Sequence, residues 1–199
     1  MGSSTMIDIV SSMLISGLLL LVALRMDEKS VQNTFDSQAS LTVQQNLTSV
    51  VENLEWDMRK IGYCKNPDLQ PQTYMYIVKG DTNLIWFLSD VNNAGVLDTV
   101  KYWLGGPVPG SANPDVRMLY RQVDNGPAMG ANLGITQFNI KYLDNFGQQL
   151  STPFVAPSQT QVMEITVRVE PTAAYDTAYS SNYAVWRQTR LVSRNLKSR

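Results

Sequence analysis

Few residues in this chain are able to do chemistry, and their types narrow the choices. There is no histidine and a single cysteine, Cys64, so the commonest general base, the commonest metal ligand and any intrachain disulfide are missing together. Cys64 reads as a small buried apolar residue. Without a G-x-S-x-G stretch, a phosphate-binding glycine loop or a Cys/His pair, the expectation is a protein that is not an enzyme and holds no cofactor. Carboxylates are what remain. Asp90, Asn92 and Asp98, with Gly95, partly echo an oxygen-rich calcium loop, but Ala94 occupies one ligand position and Lys101 stands where a bidentate glutamate belongs. They are weak candidates, and no metal is expected. Asp8 is the only acid in "SSTMIDIVSSMLISGLLLLVALRM". An acid inside a membrane costs roughly 2.5–3.5 kcal/mol. Either Asp8 complements the positive end of a helix at the lipid interface, or it is kept because it meets a positive partner.

The elements that must position Asp8 follow from the pattern around it. From Ile9 to Leu24 there is no charge, roughly sixteen residues or about 24 Å of helix. With Met6 and Ile7 the run approaches the thickness of a hydrocarbon core. No lysine or arginine precedes it and no A-x-A pattern follows, so it reads as a retained anchor rather than a cleaved secretory signal. The chain then turns polar without a breaker: no proline occurs before Pro67, and after Gly17 no glycine before Gly62. Apolar residues Val31, Phe35, Leu41, Val43, Leu47, Val50, Val51, Leu54, Met58 and Ile61 recur mostly at steps of three and four in the second half, as in a helix with one face on a core. Between Arg25 and Ser40 that face thins, as in a segment that spans solvent or packs on copies of itself. The spacing predicts one helix from about Ser4 to about Ile61, on the order of 85 Å long.

From Gln72 onward, short runs rich in aromatic and branched residues ("TYMYIVKG", "NLIWFLSD", "TVKYWLGG", "VRMLYRQVD", "ITQFNIKYLD", "QVMEITVRVEP") are punctuated by Gly, Pro, Asn and Asp. They predict a mostly antiparallel sheet of about five to seven strands. "KYLDNFGQQL" reads as a hairpin with Gly147 supplying a left-handed position. In "QVMEITVRVEP", Met163, Ile165, Val167 and Val169 alternate with mostly polar neighbours, giving one buried and one wet face. "GGPVPGSANPD" and "VDNGPAMGANLG" read as long surface or contact loops. The formal net charge of −1, with both signs scattered, offers no stripe to follow a phosphate backbone, so nucleic acid is not an expected partner.

An apolar N-terminal segment with one early acid, running unbroken into an amphipathic helix that packs on a β domain, resembles the type IV pilin and pseudopilin superfamily. "STMIDIV" (Ser4, Thr5, Met6, Ile7, Asp8) is similar to that family's opening motif, with aspartate in place of glutamate. "NLEWDMRKIGYC" and "RQTRLVSRNLKSR" look like regions of W-type minor pilins and of J-type minor pseudopilins of type II secretion. The resemblance implies an α+β fold with residues 1–3 a leader, 4–25 a transmembrane and assembly helix, 26–63 its amphipathic continuation and 64–199 a β-rich domain. It implies a structural subunit that starts or caps a type IV pilus-like or type II secretion filament. Its partners would be other pilin or pseudopilin subunits, the inner-membrane assembly platform and the lipid bilayer. Such a subunit is a single-pass protein of the bacterial inner membrane, its C-terminal domain periplasmic or extracellular, and joins the filament on assembly. Asp8 would pair with a neighbour's amino terminus and set register, while Ile9, Val10, Met13, Leu14, Leu18 and Leu21 would form the hydrophobic assembly helix. The family's peptidase cuts after glycine behind a basic leader and the new terminus is methylated. Here Ser3 occupies the expected place, Gly2 lies one residue earlier and no basic leader is present. Cleavage by a prepilin peptidase after Gly2 or after Ser3 (before Ser4), or no cleavage, are the open alternatives. A membrane-tethered β-domain binding module, or a permanent unprocessed subunit of a membrane complex, are the competing readings.

Overall fold

The computed structural model describes residues 2–66, 68, 76–144, 146–155, 160, 162–172 and 184–191, with the backbone alone for residues 2–4, 155 and 187–191. Among these residues one helix, α1 (Gly2–Arg59), precedes eight strands, an α+β arrangement as expected. The chain divides into two compact units, Met1–Leu41 and Thr42–Arg199.

The first unit is helix throughout its described residues. The second opens with the last turns of α1, which bury one stripe: Val43, Val50, Leu54, Met58 and, just past the helix, Ile61. These fall within a narrow arc at 100° per residue. Val31, Phe35 and Leu41 are exposed. Arg59 is the last helical residue, and Gly62 takes a left-handed conformation (φ 72°) that ends the run. The Gly62 N–H then donates to Leu88 O at 2.8 Å and the Asp90 N–H to Tyr63 O at 2.8 Å, joining the helix exit to the sheet.

The strands are β1 (Ile77–Asp81), β2 (Leu84–Ser89), β3 (Asp98–Pro107), β4 (Arg117–Val123), β5 (Met129–Leu143), β6 (Phe154–Val155), β7 (Val162–Val169) and β8 (Ala184–Leu191). They form one antiparallel sheet in the order β6-β1-β2-β3-β4-β5-β7-β8. Alternation puts Ile85, Phe87, Val100, Tyr102, Leu119, Phe138, Ile140, Met163, Ile165 and Val167 into one core with the α1 stripe. Burying each large apolar side chain there is worth about 1.5–3 kcal/mol. The sheet coils onto itself: the Ile140 N–H donates to Thr82 O at 2.7 Å and the Tyr142 hydroxyl to Leu84 O at 2.9 Å. The second half of β5 thereby reaches the β1–β2 turn and covers the end of the core.

Two sequence expectations change. Among the described residues the sheet has eight strands against an expected five to seven, because Phe154–Val155 adds to β1 as a two-residue edge. The segment read as the loop "VDNGPAMGANLG" is mostly strand, since β5 begins at Met129 and pairs with β4. Its glycines hide the strand from a propensity reading and permit close approach in the fold. At Gly134 (φ 73°) a side chain would strike Glu170 O, and the register of β5 against β7 shifts just beyond it, between Ile135 and Gln137. The hairpin in "KYLDNFGQQL" forms as expected: Leu143 bridges Gln149, and Gly147 is left-handed (φ 78°). The start of "TYMYIVKG", and Val192 to Arg199 at the end of "RQTRLVSRNLKSR", lie outside the described residues.

Candidate membrane and assembly site

The first turns of α1 form because nothing interrupts them, and their side chains are apolar on almost every side. α1 is long and apolar enough over its first part to cross a membrane, and none of that apolar window is buried within this chain. Ile9, Val10, Met13, Leu14, Leu18 and Leu21 are each 55–73% exposed. A helix bare and apolar around its circumference requires lipid or other protein against it. Met6, Ile7, Val10, Met13, Leu14, Leu18 and Leu21 share one side. Asp8, Ser11, Ser12 and Ser16 lie together on another, at offsets of three, four and eight from the acid. The Ser12 hydroxyl donates to the Ile9 carbonyl at 2.8 Å, which satisfies its proton within the helix itself. Asp8 is exposed on this polar side. Gly2, Ser3 and Ser4 are helical in backbone, and their side chains lie outside the described residues.

What fixes the second half of α1 to its sheet is partly a buried ionic contact. Asp57 on α1 accepts hydrogen bonds at Oδ2 from the Tyr102 hydroxyl (2.6 Å) and from Arg121 Nε (2.6 Å), and Arg121 Nε also reaches Tyr102 Oη at 3.1 Å. Burial first, and then the Asp57 carboxylate, push the Tyr102 hydroxyl well above the ordinary tyrosine range. Burial works against the Arg121 cation, but its hydrogen bond to Asp57 and the nearby negative charge hold its pKa above the usual value. Asp57 lies within the quoted "NLEWDMRKIGYC". Its partners, however, are far away in sequence and carry no signal of the pairing.

The carboxylates of the calcium-like loop are engaged by backbone. Asp90 Oδ2 accepts the N–H groups of Lys65 (3.1 Å) and Gly95 (2.9 Å), and Oδ1 accepts that of Ala94 (3.0 Å). Asn92 Oδ1 accepts Ala94 N–H, and Asp98 Oδ2 accepts Val91 N–H. The arrangement is a loop built on side-chain-to-backbone turns that ties the helix exit to β2. Burial disfavours the charge on Asp90, yet the N–H groups of Lys65, Gly95, Ala94 and Asn93 outweigh it and hold its carboxyl below the ordinary range. Asp98 goes the other way: burial, then the Asp124 carboxylate, raise it against the pull of the Val91 N–H. Among the described residues no group of three or more His, Cys, Asp or Glu is placed to hold a metal ion. Cys64 is buried and its thiol donates to Gly95 O at 3.5 Å.

Set against family models, curated proteins and solved structures, the chain finds no match.

Proposed function

We propose that this chain is a membrane-anchored structural subunit of a pilin-like filament, a minor pilin or pseudopilin. In this role α1 holds the subunit in the bilayer before assembly and packs against other subunits afterwards. The observation that carries the reading is the division of labour along one helix. Its first part leaves every described large apolar side chain uncovered, while its last turns bury a narrow stripe on an antiparallel sheet. An anchor alone would need the first part only up to the membrane surface. The further turns with Val31, Phe35 and Leu41 uncovered are what a polymerisation element requires. Asp8, with serines beside it on the polar side, then meets a neighbour's positive charge and fixes axial register, since an unmatched carboxylate out of water is costly. The subunit does no bond chemistry, and its compartment is the bacterial inner membrane with the β domain outside.

The test is Asp8→Ala expressed at its normal level in the native cell, with assembly read by shearing and imaging of filaments. Loss of incorporation at unchanged membrane content supports the proposal, and undiminished assembly would overturn it. Intact mass spectrometry of the native protein separates processing after Gly2 or Ser3 from retention of the whole chain.

A further inference from the structure

The face of the sheet turned away from the core carries an arrangement that neither the fold nor the filament reading uses. Residues opposite one another on paired strands share a face. One row across β1, β2, β3 and β4 is Lys79, Trp86, Lys101 and Gln122; the next, across β2, β3, β4 and β5, is Leu84, Trp103, Tyr120 and Gly130. The side chains of Lys79, Leu84, Trp86, Lys101, Trp103, Tyr120 and Gln122 are partly exposed, whereas the intervening Ile85, Phe87, Val100, Tyr102 and Leu119 are buried on the core side. In the first row the ammonium groups of Lys79 and Lys101 lie 5.0 and 5.2 Å from the Trp86 ring centre. Lys101 Nζ is held further by the carbonyl of Asp124 at 3.0 Å. In the second row Trp103 and Tyr120 are stacked, centres 5.2 Å apart and planes within 13°.

The glycines decide how those rings lie. A Cβ at Gly105 would stand 2.5 Å from Tyr120 Cε2, and one at Gly130 2.7 Å from Tyr120 Cε1. Opposite edges of the ring thus occupy the places where two side chains would begin. The ring lies down across β3 to β5 with one face on the backbone, and Trp103 follows its plane. The result is a flat aromatic surface without walls, bordered by two cations. Asp81, at the far end of the same face, turns its carboxylate onto the Thr82 N–H at 2.7 Å.

We propose that this face is a glycan-binding platform for a carboxylate-bearing sugar chain. The C–H face of a pyranose ring, weakly positive, stacks on the negative face of an indole or phenol ring, and an extended polymer needs a flat track rather than a pocket. Lys79 and Lys101 would take the carboxylates, with Gln122 in the same row. A cross-strand ladder for sheet stability accounts for rings that touch, but not for the loss of side chains at 105 and 130, where the Tyr120 ring lies. An apolar protein partner would call for a continuous apolar patch, which the two ammonium groups interrupt. The inference stands apart from the filament reading and survives its failure.

The experiment is titration of the full-length chain in detergent micelles with a hexameric uronate oligosaccharide and with cellohexaose. Calorimetry gives the affinity, and the indole N–H resonances in the NMR spectrum give the place. Saturable uronate binding that shifts the Trp103 resonance is expected. Trp103→Ala should weaken it about tenfold, as loss of a central aromatic anchor does; Tyr120→Phe, which keeps the ring, should leave it within about twofold. The double variant Lys79→Ala and Lys101→Ala should lose the preference for the uronate over the neutral hexamer. Absence of saturable binding by the wild type, binding that leaves the Trp103 resonance unmoved, or equal affinity for the neutral hexamer each overturns the proposal, whether or not Trp103→Ala folds.

Discussion

Asp57 and Arg121, 64 residues apart in the chain, meet at 2.6 Å beneath the helix, with the Tyr102 hydroxyl closing the group onto the same carboxylate oxygen. The contact joins α1 to the two adjacent strands β3 and β4. Asp57 and Tyr102 are buried, and Arg121 is partly exposed.

Removing the acid leaves a half-buried guanidinium and the Tyr102 hydroxyl without their acceptor, so Asp57→Ala should destabilise the β domain by about 2–3 kcal/mol, less than a fully buried charge would cost because water reaches part of Arg121. Tyr102→Phe removes one hydrogen bond without leaving a bare charge and should cost only about 1 kcal/mol. Urea unfolding of the full chain in micelles, followed by near-ultraviolet circular dichroism, measures both. Equal costs for the two variants would show that the ion pair is not the stronger element.

Gly134 combines a positive φ with a Cβ position that collides with the Glu170 carbonyl. Gly134→Ala is therefore expected to lose at least about 1–2 kcal/mol. Amide exchange should speed up first across β5 and β7, where the register shifts. Gly106→Ala, with open space and no such φ, should be nearly neutral in the same assay.

Asp90 and Asp98 are expected to respond to pH with opposite signs. The depressed carboxyl of Asp90 contributes stability that is present above its ordinary value of 3.8 and is lost as pH falls through the lower folded value. Asp98 is raised, so its contribution is present below 3.8 and is lost as pH rises through the higher folded value. Asp98→Asn keeps an acceptor for the Val91 N–H and removes the charge facing Asp124. Its melting temperature should exceed that of the wild type near neutral pH, and the gain should shrink on acidification. Asp90→Asn should melt lower than the wild type at neutral pH, because one amide oxygen cannot serve all three N–H donors. Calorimetric scans over pH check both.

Leu18 lies in the middle of the uncovered apolar run and is 62% exposed. Leu18→Arg should add about 2.5–3.5 kcal/mol to membrane insertion and shift the protein from the carbonate-resistant membrane fraction toward the soluble fraction. Leu18→Ile should leave that partition unchanged.

The sequence by itself determined the elements whose physics is local. The absence of Gly and Pro between Gly17 and Gly62 specifies a continuous helix, and steps of three and four mark the Val50, Leu54 and Met58 stripe. Alternation in "QVMEITVRVEP" gives β7 its buried face, and Gly147 places a turn. It also marked Asp8 as an acid in an apolar run, because hydropathy and charge are properties of residue types. Only the tertiary structure decided what depends on pairing across distance. Tyr102 and Arg121 become partners of Asp57 through the register of β3 against β4, which no neighbour in sequence encodes. Gly130 and Gly134 of "VDNGPAMGANLG" lie in a strand, where Tyr120 and the Glu170 backbone occupy the space their missing side chains leave. Lys79, Trp86, Lys101, Trp103 and Tyr120 share one face because antiparallel pairing brings alternate residues of four strands into rows, and period-two alternation within one strand cannot say which rows will meet.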